Sequence, residues 1–143
     1  MNITVNTKCY AQLLQHCQDL YPEEACGVLL GINEKSSTSS STSITSSIAI
    51  TNIHPNKKIA FQFDPQQWVN AVYSASRQGL EIVGIYHSHP TSEALPSDHD
   101  YQGFIGENTL YAILSLKQKD SPQIRIYHVL GQNQFINYPL VLT

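Results

Sequence analysis

Residues 80–86 read LEIVGIY, a near-continuous apolar run. A strand this apolar needs cover on both faces, which makes it the centre of a sheet with helices above and below. The flanking sequence supplies such helices. Residues 7–20 repeat apolar side chains at Tyr10, Leu13, Leu14, Cys17 and Leu20, a helical face entered through Asn6 or Thr7 and ended before Pro22. A second helix takes Asp64 as N-cap and Pro65 at its first position, and stops at Gly79. Its expected inward stripe is Trp68, Val72 and Ala75, with Val69 beside it. Further strands are expected at 2–5, 24–32, 48–53, 61–63, 109–116, 123–130 and 134–138, and a short helix near 97–105. Helices and strands interleave, so the fold class is α/β with a mixed sheet.

Eleven of the twelve residues 36–47 are Ser or Thr. The tract offers little to bury and is expected to be a flexible surface hairpin tip or insertion. The 143 residues suit a single domain, 1–143. Eight Lys and Arg against eleven Asp and Glu give a net charge of -3, which argues against nucleic acid or an anionic membrane as partner. Lys57 and Lys58 are too few for a nucleic-acid patch. No signal peptide or membrane span is visible, and Cys9, Cys17 and Cys26 make an odd number that does not suit a secreted disulfide framework. The expected compartment is a reducing cytoplasm.

The apolar run leads directly into His87-Ser88-His89-Pro90. Two histidines at i and i+2 on an extended segment share a face, so both imidazoles can meet one metal ion. Asp100 follows ten residues after Pro90, inside Ser97-Asp98-His99-Asp100. It would complete a His₂Asp set, and three protein ligands leave a fourth position for water, the arrangement of a catalytic zinc site. Ser97-x-x-Asp100 also reads as a capping box with Asp in place of Glu, and a first helical turn is a rigid mount for a ligand.

His87-x-His89, then the seven residues 90–96, Ser97, two residues and Asp100 together resemble the signature of the JAMM, or MPN+, zinc metalloproteases. That signature begins with an upstream Glu, and Glu24 stands three residues before Gly27 in a block similar to the family's first. Asn52, the segment Phe61 to Pro65, and Gly84 also fall where relatives carry similar residues. The resemblance covers roughly residues 7–130 and is to the prokaryotic single-domain type. It implies a cytidine-deaminase-like α/β fold with a curved mixed sheet flanked by helices. It also implies one Zn²⁺ on His87, His89 and Asp100, with a water as fourth ligand. In that scheme Glu24 is general base and then general acid, and Ser97 hydrogen-bonds the developing oxyanion. Residue types and spacing alone do not separate Glu24 from Glu23. The implied activity is cleavage of a peptide or isopeptide bond, with a ubiquitin-like or sulfur-carrier protein, or its adduct, as substrate. Oligomeric state stays open.

The alternative is a non-catalytic MPN-type protein-binding scaffold, which would have no need of all five residues. A zinc nucleobase deaminase would need H-x-E and P-C-x-x-C, and the sequence has neither. His99 is a weaker ligand candidate than its neighbour Asp100. Glu93 is expected to face solvent, and His16, His54 and His128 to be hydrogen-bonded structural residues. Trp68 is expected in the core.

Overall fold

The computed structural model describes residues 1–102, 109–131 and 134–143. Along the chain the elements are β1 (Asn2–Val5), α1 (Thr7–Leu20), β2 (Cys26–Lys35), β3 (Ser40–Ile50) and α2 (Pro65–Arg77). They continue with β4 (Glu81–His89), α3 (Asp98–Gln102), β5 (Leu110–Ser115), β6 (Gln123–Gly131), β7 (Gln134–Tyr138) and β8 (Leu140–Leu142). The strands form one mixed sheet in the order β7-β6-β5-β4-β2-β3-β1-β8. As its apolar run requires, β4 is central, antiparallel to β2 and parallel to β5.

The sheet's two end strands, β7 and β8, are separated in the chain by Pro139 alone. Eight strands laid flat would put those ends about 33 Å apart at roughly 4.8 Å per strand. Two Cα steps of about 3.8 Å cannot bridge that distance, so the sheet curls until its rims come close. The curved mixed sheet implied by the resemblance is therefore observed.

Helix α1 covers one face. The Asn6 side chain accepts from the N–H groups of Lys8 and Cys9, and the helix buries Cys9, Leu13 and Cys17 against Ile3, Leu29, Ile44, Tyr86 and Ile126. Helix α2 covers the other. Asp64 caps it by accepting from Gln67 N–H at 3.0 Å, and Gly79 leaves it at φ +68°. Its buried stripe is Ala71 and Ala75 with Trp68 partly covered, whereas Val69 and Val72 are exposed, contrary to the expected stripe. Small residues facing Val28, Leu30 and Ile85 let this helix lie close on the sheet.

The Ser/Thr tract corrects a second expectation. Its residues 40–47 lie within β3, paired antiparallel with β2 and parallel with β1, and the turn proper is only residues 36–39. Thr42 and Ile44 alternate inward at 2% and 1% exposure, and Thr42 Oγ1 donates to Asn33 Oδ1 at 2.6 Å. Neighbours on both sides satisfy the backbone, so a polar composition does not prevent a strand. Three boundaries also move. β2 starts at Cys26, β3 ends at Ile50, and the strand expected at 61–63 is a single bridge, Phe63 to Asn52. Strand β8 was not anticipated, and residues 103–105 of the expected short helix lie outside the described residues.

Candidate metal centre

Strand β4 carries His87 opposite Ile113 and His89 opposite Ser115, both on the face that α2 covers. They are 1% and 3% exposed. The His87 Nε2 atom lies 3.1 Å from His89 Nε2, and the two carboxylate oxygens of Asp100 lie 2.9 Å from the first and 3.2 Å from the second. Asp100 reaches them from α3 through the capping box read in the sequence. Ser97 N–H donates to Asp100 Oδ2 at 2.8 Å, and Asp100 N–H donates to Ser97 Oγ at 3.3 Å. The Phe61 ring stacks on His87 at 4.6 Å between centroids.

One tautomer is fixed by geometry. His89 Nδ1 lies 2.7 Å from the Glu93 carbonyl oxygen, which can only accept, so Nδ1 carries the proton. In the neutral ring the lone pair is then on Nε2, aimed at Asp100 and His87. Burial opposes ionisation of Asp100, but the two imidazoles outweigh it and hold the carboxyl well below its usual range. Burial pushes His87 down against the pull of Asp100, whereas in His89 burial is outweighed by the Asp100 carboxylate together with the Glu93 carbonyl and Glu24, which raises the imidazole. Three ligand atoms lie within 4.8 Å of one another, and this is the one such group found among the described residues. Two imidazole nitrogens and a carboxylate oxygen form a donor set that fits a zinc-type cation, and the preset His89 tautomer suits it further.

Glu24 immediately precedes Ala25 and β2, at 4% exposure. Its N–H donates to Lys57 O at 2.7 Å and its carbonyl accepts from Asn52 Nδ2 at 3.0 Å. Carboxyl atom Oε1 is buried with no hydrogen-bond partner among the described residues. Burial pushes the carboxyl up to about 8, with His89 opposing and Asp100 adding to the rise. Glu23 is only half-buried. The two glutamates that spacing could not separate therefore have different environments, and Glu24 is the one electrostatically coupled to the His–Asp cluster.

Two polar residues lock this corner. Asn52, 6% exposed, donates to Glu24 O and Ala60 O and accepts from His54 N–H and Gln62 N–H, which uses its full amide capacity. Ser88, between the two histidines but on the opposite face, accepts from Ala25 N–H at 2.8 Å. It thereby ties the Glu24 segment to the strand that bears His87 and His89.

The remaining candidates sort as follows. His99 is exposed, and its ring lies 6.5 Å from that of His54, outside the cluster. The Glu93 side chain is exposed, 3.8 Å from Lys117, yet its carbonyl fixes His89. Backbone carbonyls leave no mark on residue type, so sequence reasoning missed this one. His16 Nδ1 lies 2.8 Å from Tyr86 Oη, His54 Nδ1 accepts from Asn56 N–H, and the His128 ring meets Tyr138 edge-on. Trp68 stacks on Phe63. All three cysteines are free and buried. No helix among the described residues is long and apolar enough to cross a membrane.

A family model described as prokaryotic homologs of the JAB domain matches residues 6–127. The chain belongs to this family. Among curated relatives of this JAB-domain protein, a Haloferax volcanii protein named desampylase is 31% identical over 94 residues, 66% of this chain and 63% of the relative. A Thermus thermophilus protein named "Probable TtuB-protein conjugate cleaving protease" is 34% identical over 79 residues, 55% of this chain and 47% of that protein. A Pyrococcus furiosus desampylase is 32% identical over 62 residues, 43% of this chain and 44% of the relative. The matched segments thus span less than two thirds of each relative. The solution structure of a Desulfitobacterium hafniense protein superposes with a TM-score of 0.86 at 24% identity, over 99% of this chain and 92% of that one. A Salinibacter ruber solution structure gives 0.71 at 25% identity, over 98% and 91%. Both share the fold of this JAB domain.

Proposed function

We propose that this JAB-domain protein is a zinc-dependent isopeptidase that hydrolyses the peptide or isopeptide bond at the C-terminal tail of a ubiquitin-like or sulfur-carrier protein, or of its adduct. The observation that carries the reading is the convergence of His87, His89 and Asp100, electrostatically coupled to a buried Glu24 carboxyl whose Oε1 has no hydrogen-bond partner among the described residues. His87, His89 and Asp100 would hold the ion. Zinc, when bound, supplies Lewis acidity, which brings the pKa of water from about 15.7 to about 7.

The other roles belong to this chain's own side chains. Glu24, whose Oε1 has no hydrogen-bond partner among the described residues, takes a proton from the attacking water and returns it to the leaving amine. Ser97 Oγ accepts from Asp100 N–H, which leaves its own O–H free to donate to the oxyanion that develops on the scissile carbonyl. Loss of one such donor costs about 10²–10³ in rate. The names of the Haloferax and Thermus relatives support a protein-conjugate substrate. Three buried, free cysteines suit a reducing cytoplasm, and the net charge of -3 suits neither nucleic acid nor an anionic membrane as partner.

The test is zinc content together with hydrolysis of a carrier-protein conjugate. Glu24→Gln should keep zinc and lose hydrolysis by at least about 10², within the range of general acid–base catalysis. A zinc-loaded Glu24→Gln variant that still hydrolyses at the wild-type rate overturns the assigned mechanism.

A further inference from the structure

We infer that the hydroxyls of Tyr127 and Ser115 are positioning residues for the metal ligands, acting through the backbone of residues 92–94; this rests on the metal reading above. The chain leaves β4 at His89 and has to bring Asp100 back against the two histidines. The intervening residues 90–97 contain no helix or strand. Half of their side chains cannot hold them in place: Thr91, Ser92, Glu93 and Leu95 are exposed, and only Pro90 and Ala94 are buried.

The backbone does the anchoring. Three consecutive carbonyls are each held by a side chain from a different strand. Ser92 O accepts from Ser115 Oγ of β5 at 2.6 Å. Glu93 O accepts from His89 Nδ1 of β4 at 2.7 Å. Ala94 O accepts from Tyr127 Oη of β6 at 2.5 Å. The middle bond belongs to a metal ligand and fixes its tautomer, so the outer two determine whether that carbonyl stays aimed at His89. They also set where the segment hands over to Ser97 and Asp100. Ser115 lies directly opposite His89 in the β4–β5 register, and Tyr127 is 1% exposed with its ring edge-on to Phe135 at 5.1 Å. Both hydroxyls donate their proton to carbonyls of the segment, so each acts on the ion through the segment. The partners behind metal ligands typically govern 10–100-fold in affinity, and these two stand one further bond removed.

The measurement is zinc affinity by competition with a chelator, well below the unfolding temperature, for wild type, Tyr127→Phe, Ser115→Ala and Thr42→Val. Tyr127→Phe keeps the packed ring and removes one oxygen. Thr42→Val is the control, because it deletes a part-buried hydroxyl bond like that of Ser115, here to Asn33 and on β3. The expected result is zinc affinity about 10-fold weaker in Tyr127→Phe and in Ser115→Ala, with Thr42→Val unchanged. Tyr127→Phe within twofold of wild type overturns the positioning role and leaves the metal reading standing. So does a Thr42→Val loss as large as that of Tyr127→Phe, since the effect would then be one of general destabilisation. A wild-type protein that takes up no zinc overturns the metal reading and this inference with it.

Discussion

Asn52→Asp tests how the Glu24 corner is held, because it changes one nitrogen to oxygen and nothing else in shape. The Asn52 amide donates to the carbonyls of Glu24 and Ala60, both at 3.0 Å, and both residues are buried at 4% and 2% exposure. In Asn52→Ala those two carbonyls lose their donor at about 1–3 kcal/mol each, roughly 2–6 kcal/mol together. The N–H groups of His54 and Gln62 are less costly, since both are part-buried and can turn to water. In Asn52→Asp those two N–H groups keep their acceptor, but an ionised oxygen now faces two carbonyl oxygens. At pH 7 the Asp variant should therefore be destabilised at least as much as the Ala variant, by about 3 kcal/mol or more of a total that is typically about 5–15. The introduced carboxyl is neutral when protonated and can then donate to one carbonyl, so its folded pKa lies above its unfolded value of about 3.9. Its deficit against wild type should shrink as pH falls through that raised value and grow as pH rises through it. Urea unfolding of all three proteins at pH 7 and pH 5 checks this. An Asp variant within about 0.5 kcal/mol of wild type at pH 7, or one whose deficit deepens on acidification, refutes the reasoning.

Three further expectations concern the scaffold. Gly31→Ala drives a Cβ into the Ser43 carbonyl oxygen and should cost about 3 kcal/mol or more, whereas Gly79→Ala, at φ +68° in open space, should cost about 1; thermal melts of the pair separate the two causes. Burial pushes the thiols of Cys17 and Cys26 up to about 12 from an ordinary 9.0, so the folded chain keeps protons that the unfolded chain releases. Stability should be intact below about pH 9 and fall between there and about 12, less steeply in Cys17→Ala, and native protein at pH 8 should resist alkylation by iodoacetamide until denaturant is added. Deleting residues 40–47 removes the strand between β1 and β2 and should abolish the cooperative unfolding transition, a result circular dichroism reads directly.

How much of this was legible in the sequence depended on the range of the interactions. The helix starts at Asn6 and Asp64 could be read because a cap is a bond between residues two or three apart. The His87, His89 and Asp100 cluster was legible because two of its residues share a strand and the third is fixed by its own capping box to Ser97. The Ser/Thr tract was misread because its order comes from partners on β1 and β2, which composition does not show. The stripe of α2 was misread because Val72 and Ala71 both satisfy a helical period, and closeness to the sheet selected the smaller. Glu24 needed burial to tell it from Glu23, and the Glu93 carbonyl could not be seen at all.

Strand β1 sits between β3 and β8, and Thr7 Oγ1 bonds Thr143 O across 136 residues of chain. Such a contact demands a long loop closure with no reward until both ends are present. On a chain emerging from the ribosome, β1 has one open rim until residues 140–142 appear. The two histidines of the His–Asp cluster lie on β4, between β2 and β5 and away from that seam. A chain stalled before residue 140 would therefore already carry the His–Asp cluster, with β8 the last of these strands to add to the sheet.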